Sequence, residues 1–385
     1  MFGISEGKWR ELNGLNTATE ISNQPKLWEE TLNIIEANKE KIDNFMGKYY
    51  DKNTQIIFSG AGTSAYAGEI IVPYLNKNAD GNFNAIASTN IVANPEMYLK
   101  NTPTIMVHFA RSGNSPESIA SYNLGNQLIE NISHIFITCN KDGKLAKISK
   151  DNEKILLLLM PEESNDKGFA MTSSFSCMAI AATLLFDKDN FNKNKEELLK
   201  SIEISKNILN NGHIELKELL DGDFNRIVYV GSGSFYGLAK ESTLKLLELT
   251  RGQIISHSET VLGFRHGPKS IVDDKTYVFV YISNEDYSKK YDKDLINEIY
   301  HDAGEHKLIT IGKEYDKNIE DISDYHIYLD NEDINNEVFI GLLYVIYAQI
   351  FALLTSVKTN VEPDNPNPSG AVNRVVKGVR IYDYK

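Results

Sequence analysis

The chain repeats itself. IIFSGAGTSAYAGE, beginning at Ile56, returns as IVYVGSGSFYGLAKE at Ile227, an offset of 171 residues. TIMVHFARSGN from Thr104 faces TYVFVYISNED from Thr276, and IFITCNKDGKLAKISKD from Ile135 faces LITIGKEYDKNIEDISD from Leu308. Three segments in one order at a nearly constant offset imply two copies of a single domain, because the period is far too long for a solenoid repeat.

Within the first copy, short apolar runs at 55–59, 84–88, 104–109, 133–138 and 154–159 alternate with helix-length segments at 63–75, 115–128 and 170–186. The runs lack strict alternation, as strands covered on both faces do. The fold class expected is α/β: two tandem domains, each a doubly wound, mostly parallel five-stranded sheet flanked by helices. The expected organisation is a helical N-terminal segment at 1–47, a first domain at 48–190, a helical linker at 191–222, a second domain at 223–361 and a tail at 362–385. One leading helix is expected over 25–47, with Pro25 in its first turn. EPDNPNPSG opens the tail and reads as turn-rich, extended chain.

Charge narrows the partners. Forty Lys and Arg stand against 53 Asp and Glu, a formal net charge of −13. That argues against nucleic acid and anionic membrane, both of which select clustered positive charge. Cys139 and Cys177 are the two cysteines, and neither sits in a CxxC or Cys/His pattern, so no metal and no disulfide framework is expected. MFGISEGKWRELNG lacks the apolar core of a signal peptide, and a cytoplasmic protein is expected. The uncharged stretch Phe339–Val357 has the length of a membrane span, but its Tyr, Gln, Thr and Ser content favours a buried core helix.

Three first-copy loops carry donors. GAGTSAYAGE places Gly60 and Gly62 before Thr63 and Ser64 at a strand-to-helix turn, where backbone N–H groups face an anion. A tight turn alone also explains the glycines, and the dinucleotide pattern is incomplete. ARSGNSPES gathers Arg111, Ser112, Gly113, Asn114 and Ser115 at one bend ahead of Pro116. A helix cap accounts for Ser115, and a phosphate site accounts for the whole set. FAMTSSFS brings Thr172 and Ser173 to a helix start, either as a plain N-terminus or as a third donor loop. The second copy reads ISNEDYS where the first has its SG loop, so one phosphate site per chain is expected. Instead it has Glu241, Lys245 and Glu248, which share one helix face, and His266 in a following loop. From spacing alone, a salt-bridged surface helix is the simpler account.

These segments together resemble the sugar isomerase (SIS) domain family. The two-copy arrangement is similar to the isomerase half of glucosamine-6-phosphate synthase. Within the family, GAGTSAYAGE, ARSGNSPES, GLAKESTLKLLELTRGQ, GFRHGPKS and NPNPSGAVNRVVKGVRIY resemble the AgaS-like tagatose-6-phosphate ketose/aldose isomerases. The resemblance implies phosphate binding by Ser64, Arg111, Ser112 and Ser115, with Thr172 and Ser173 in a third loop. It implies that Glu248 moves a proton between C1 and C2 and that His266, from the other subunit of a dimer, opens the sugar ring. Lys377 matches the C-terminal lysine that reaches the carbonyl end of the substrate. Supporting positions are Gly60, Gly62, Thr63, Gly113, Asn114, Lys245 and Glu241.

The sequence departs from the synthase in three ways. Ala110 replaces the first hydroxyl of the synthase's phosphate loop, two extra residues separate Glu248 from His266, and no glutaminase half or nucleophilic N-terminal Cys is present. Isomerisation, with or without ammonia release, is therefore expected over amino-sugar synthesis, and no cofactor is needed. The favoured reaction is conversion of galactosamine 6-phosphate to tagatose 6-phosphate and ammonia. Simple aldose–ketose isomerisation and a non-catalytic sugar-phosphate sensor are the alternatives.

Overall fold

Apolar runs rich in Ile, Val and Phe become strands here because helices cover both of their faces. A computed structural model describes residues 1–331, 333–376 and 378–385. Among these residues the first copy supplies β1 (Gln55–Ser59), β2 (Asn82–Ala85), β3 (Thr104–Ala110), β4 (Ile132–Thr138) and β5 (Ile155–Leu159). They pair in parallel in the order β2-β1-β3-β4-β5. The second copy supplies β6 (Arg226–Val230), β7 (Ile255–Glu259), β8 (Thr276–Tyr281), β9 (Lys307–Gly312) and β10 (Tyr325–Tyr328). Their order, β7-β6-β8-β9-β10, is the same one, again all parallel. The α/β class and the two five-stranded sheets are those expected from the repeat.

This order reverses direction between the first and third strands of each sheet. β1 leads outward to β2 and β3 leads the other way to β4, so a crevice opens beyond their carboxyl ends. The corresponding crevice of the second sheet lies beyond β6 and β8. The repeat extends to backbone angles: Gly62 has φ 57° and ψ −129°, and Gly233 has φ 57° and ψ −126°.

The chain divides into two compact units. One comprises residues 23–167, 171–195 and 367–385 and holds the first sheet; the other comprises 1–22, 168–170 and 196–366 and holds the second. In the first-sheet unit the rings of Phe58, Phe83, Phe109 and Phe186 stack and edge together, and Trp28 Nε1 donates to Ser176 Oγ at 2.8 Å. In the second-sheet unit Tyr229, Phe279, Tyr281, Tyr344 and Phe351 form the comparable aromatic core. Helix Glu337–Lys358 packs there against helix Ser234–Leu249, and 94% of its most apolar window is buried. Among the described residues it is long and apolar enough to cross a membrane by length and composition, and it is a core helix here.

Some boundaries moved. The single leading helix expected over 25–47 is two, Gln24–Ala37 and Lys39–Tyr49. The break falls at Asn38, whose Nδ2 donates to the Ile34 carbonyl at 2.9 Å beside its own backbone N–H at 3.1 Å, so that it caps the first helix. β2 lies at Asn82–Ala85 rather than 84–88, since Ser88 opens a short helix, Ser88–Ala93. The segment after the first sheet is helical at Phe191–Glu215 and Lys217–Asp221. The EPD of the tail is tied down, with Asp364 accepting from the backbone N–H groups of Asn16 and Thr17, each at 2.9 Å.

Candidate functional site

In the first-sheet unit, two of the donor loops leave neighbouring strands at the crevice. The loop after β1 carries Gly60, Gly62, Thr63 and Ser64. A Cβ on Gly60 would lie 2.6 Å from Ser64 atoms, and the φ of Gly62 is positive, so both positions demand glycine. The turn delivers Thr63 and Ser64, both nearly buried, to the start of helix Thr63–Asn78, with Ser64 Oγ 3.9 Å from Met171 Sδ.

The loop after β3 holds Arg111, Ser112, Gly113, Asn114 and Ser115. Ser115 caps helix Pro116–Leu128, its Oγ accepting from Ser118 N at 3.2 Å and lying 2.6 Å from Ser118 Oγ. Ser112 Oγ accepts from Asn114 N at 3.3 Å, and Asn114 Oδ1 accepts from Lys144 N at 3.0 Å. The Gly113 carbonyl accepts from Leu145 N at 3.1 Å, and Asn140 Nδ2 donates to the Ser112 carbonyl at 3.0 Å. Loop shape therefore comes from Gly113, Asn114 and Asn140, while Ser112 and Ser115 remain half-buried at the surface. Arg111 is nearly buried, and its Nη2 donates to the main-chain carbonyl of Arg374 at 2.7 Å.

The third loop is organised around an anion of the protein's own. Asp166, fully buried, accepts from Thr172 N at 3.0 Å, Ser173 N at 3.2 Å and Ser174 N at 3.0 Å. The hydroxyls of Thr172, Ser173 and Ser174 also donate to it. One carboxylate thus satisfies the first N–H groups of helix Ser173–Phe186, where an anion is favoured. Arg374 in turn donates from Nη2 to the Asp166 main-chain carbonyl. Cys139 lies nearby, buried, its thiol pushed up to about 12 chiefly by that burial, which makes it no nucleophile.

In the second-sheet unit, helix Ser234–Leu249 presents Glu241, Lys245 and Glu248 on one face. Lys245 Nζ lies 2.6 Å from Glu248 Oε2 and 3.4 Å from Glu241 Oε1. The side chains of Lys245 and Glu241 are 0% exposed and that of Glu248 is 24% exposed. The surface ion-pair reading fails for Glu241 and Lys245: the pair is interior. A buried ammonium is costly unless paired, and here it holds the one carboxylate that reaches solvent.

His266 follows the short helix Val261–Phe264 on an exposed turn, and Gly267 after it has φ 117°. Among the described residues the His266 ring makes no hydrogen bond or ion pair. Its neighbours are anchored, Arg265 to Glu298 at 2.6 Å and Lys269 to Glu298 at 2.5 Å and to Asp302 at 2.6 Å. Where the first copy has its Arg–Ser loop, Ser283 N donates to Asp292 Oδ2 at 2.7 Å. Burial raises the Asp292 carboxyl to about 6. Lys377 lies outside the described residues. No cluster of three or more His, Cys, Asp or Glu is placed to hold a metal among those described.

Asp166, Arg374 and Asp292 were not singled out from the sequence. The hydroxyl run at 172–174 read as a helix start or a third donor loop, and nothing in the sequence marked Asp166 as its acceptor.

Several known proteins are similar to this chain over nearly its whole length. D-galactosamine-6-phosphate deaminase AgaS of Shewanella sp. (strain ANA-3) is 38% identical, over 96% of this chain and 92% of that one. The Escherichia coli protein of that name is 38% identical over 97% of each chain. The crystal structure of tagatose-6-phosphate ketose/aldose isomerase from Escherichia coli superposes with a TM-score of 0.88 at 36% identity, covering 97% of each chain. A Clostridium novyi NT structure, proposed to be an enzyme of that kind, reaches 0.97 at 45% identity over 100% of this chain and 99% of that one. The SIS domain profile matches residues 48–188 and again 223–358, one match on each sheet, and the chain belongs to the SIS domain family.

Proposed function

We propose that the protein is a sugar-phosphate isomerase that converts galactosamine 6-phosphate to tagatose 6-phosphate and ammonia. The name shared by its full-length relatives supports the substrate. The structural observation that carries the chemistry is the partly exposed Glu248 carboxylate held by the buried Lys245 ammonium. A protein that only binds sugar phosphates has no need of such a pair.

In this reading Ser64, Arg111, Ser112 and Ser115 hold the phosphate, as hydroxyls and a guanidinium suit its oxygens. Thr172 and Ser173 shape the site through Asp166 instead, since their donors are committed to that carboxylate. His266, supplied by the neighbouring subunit of a homodimer, opens the ring. Glu248 removes the C2 proton of the open-chain aldehyde as the C1 oxygen gains one, giving an enaminol. Returning the proton to C1 leaves a 2-imine. Water adds at C2, ammonia departs, and the ketose remains, so the net change is gain of water and loss of ammonia. Lys377 attends the carbonyl end. Loss of ammonia to water makes the overall step hydrolytic. The sequence features support a cytoplasmic enzyme with no nucleic-acid or membrane partner.

Simple interconversion of tagatose 6-phosphate and its aldose uses the same proton transfer with a C2 hydroxyl. The likeness to the Escherichia coli tagatose-6-phosphate ketose/aldose isomerase favours it. One experiment separates the two. Incubation with galactosamine, glucosamine and tagatose 6-phosphates, assaying ammonia and ketose together, should yield both products in equal amounts from galactosamine 6-phosphate. Ketose–aldose exchange without ammonia from either amino sugar would select the second reading.

A further inference from the structure

The C-terminal segment 367–385 belongs to the first-sheet unit, and one of its residues bonds two loops of the candidate site. The Arg374 carbonyl accepts from Arg111 Nη2 at 2.7 Å, in the loop after β3, and the Arg374 guanidinium donates from Nη2 to the main-chain carbonyl of Asp166. The two contacts differ in kind. The first is made by the main chain of residue 374 and does not need its side chain. The second is made by the side chain alone.

Asp166 is a rigid post. It is fully buried, its N–H donates to the Ser164 carbonyl at 2.9 Å, and its carboxylate is bonded by Thr172, Ser173 and Ser174. The tail around Arg374 is held differently. Val372 and Val376 are 55% and 51% exposed, so apolar packing does not fix this stretch. Its turn comes from local bonds, Gly370 N to the Asn367 carbonyl and Asn373 Nδ2 to the Gly370 carbonyl, each at 2.9 Å. These shape the segment without attaching it to the sheet, and a terminal segment is ordered only where it is tied down. Arg111, in contrast, is 6% exposed, and a guanidinium so buried needs fixed acceptors. A carbonyl takes a hydrogen and carries no charge, so the Arg374 contact orients the Arg111 guanidinium without neutralising it.

We infer that Arg374 is a positioning residue for phosphate binding: its guanidinium moors the tail to Asp166, and the moored main chain holds the Arg111 guanidinium in place for the phosphate. The inference rests on the proposed reading of Arg111 as a phosphate ligand. In this role Arg374 acts through Arg111. Its loss therefore costs no more than the loss of Arg111, and costs nothing once Arg111 is gone.

The test is calorimetric titration with tagatose 6-phosphate and with tagatose, on the wild type, Arg374→Ala, Arg111→Ala and the double variant. Arg374→Ala keeps the main-chain carbonyl and removes the mooring. It should weaken binding of tagatose 6-phosphate about fivefold, the size of one hydrogen bond, and leave any binding of tagatose unchanged. Arg111→Ala should weaken tagatose 6-phosphate at least about tenfold. The double variant should match Arg111→Ala within about twofold, because two residues acting through one contact do not add. Wild-type affinity in Arg374→Ala, beside a weakened Arg111→Ala, would show that the tail positions nothing. Losses that multiply in the double variant would show that Arg374 meets the ligand by itself, and an equal loss for tagatose would show a general structural role. Each of these results overturns the inference and leaves the reading of Arg111 standing. Unchanged affinity in Arg111→Ala would instead remove that reading, and the inference with it.

Discussion

Lys245 Nζ lies 2.6 Å from a carboxylate oxygen of Glu248, three residues along the same helix, and the lysine is wholly interior while the glutamate is 24% exposed. The arrangement fixes one rotamer of Glu248 without removing it from solvent. With Glu241 also at 3.4 Å, the ammonium faces two carboxylates, so its charge is more than matched within a single helix face.

Glu248→Gln keeps the side-chain shape and removes the carboxylate proposed as the base. Turnover of galactosamine 6-phosphate should fall at least about 100-fold, the low end for a positioned general base. The circular dichroism spectrum should match wild type. Near wild-type turnover would remove Glu248 from the mechanism.

Lys245→Met takes the ammonium away and leaves Glu241 in the interior. Breaking a buried ion pair from one side costs about 3–5 kcal/mol, which urea unfolding should read as a lower midpoint at unchanged slope. Adding Glu241→Leu should recover part of the loss, because the carboxylate then left without its ammonium is Glu248, which reaches solvent.

The proposal that His266 acts on a neighbouring subunit makes a prediction about mixtures. Glu248→Gln and His266→Asn proteins should each be nearly inactive. Unfolded and refolded together in equal amounts, random pairing makes half the dimers mixed, and each mixed dimer holds one intact site, so about a quarter of sites should recover. No recovery, despite verified subunit exchange, would place His266 in its own chain's site.

Arg111→Ala removes the fixed charge of the loop after β3. Affinity for sugar phosphates should drop at least about tenfold, and any binding of the unphosphorylated sugar should be unaffected, since the guanidinium is matched to phosphate. Calorimetric titration with both ligands distinguishes this from a purely structural role, which would weaken both equally.

The acid side of the stability profile should carry a histidine signature. His108 Nε2 and His134 Nδ1 lie 3.1 Å apart in β3 and β4, against Tyr122 and Phe136. Burial pushes His108 down to about 3, and burial with the neighbouring His108 also lowers His134. The unfolded chain therefore binds protons that the folded one refuses, so stability is full above about pH 6.5 and is lost as pH falls toward 3. Between pH 7 and 4.5 His108 alone should cost on the order of 2 to 3 kcal/mol. A His108→Phe/His134→Phe protein should show a flatter dependence of urea midpoint on pH over that range.

The sequence by itself determined the architecture and most of the candidate residues. The offset copies dictated two like domains, and β-branched runs between amphipathic segments dictated parallel sheets, because both signals are local and periodic. Arg111 and Ser112 stood out as candidates because their neighbours crowd donors into one bend, whereas Glu248 became a candidate only through the family resemblance, its spacing alone reading as a surface ion pair. Tertiary structure alone decided where the donors and charges are spent. Asp166 takes the hydrogens of Thr172 and Ser173, Lys245 is sealed beside Glu241 rather than lying on a surface, and Arg374 closes on Arg111 from 263 residues away along the chain. Hydrogen-bond partners and desolvation depend on which segments meet in space, and pairings between segments far apart in the chain leave no periodic trace in its sequence.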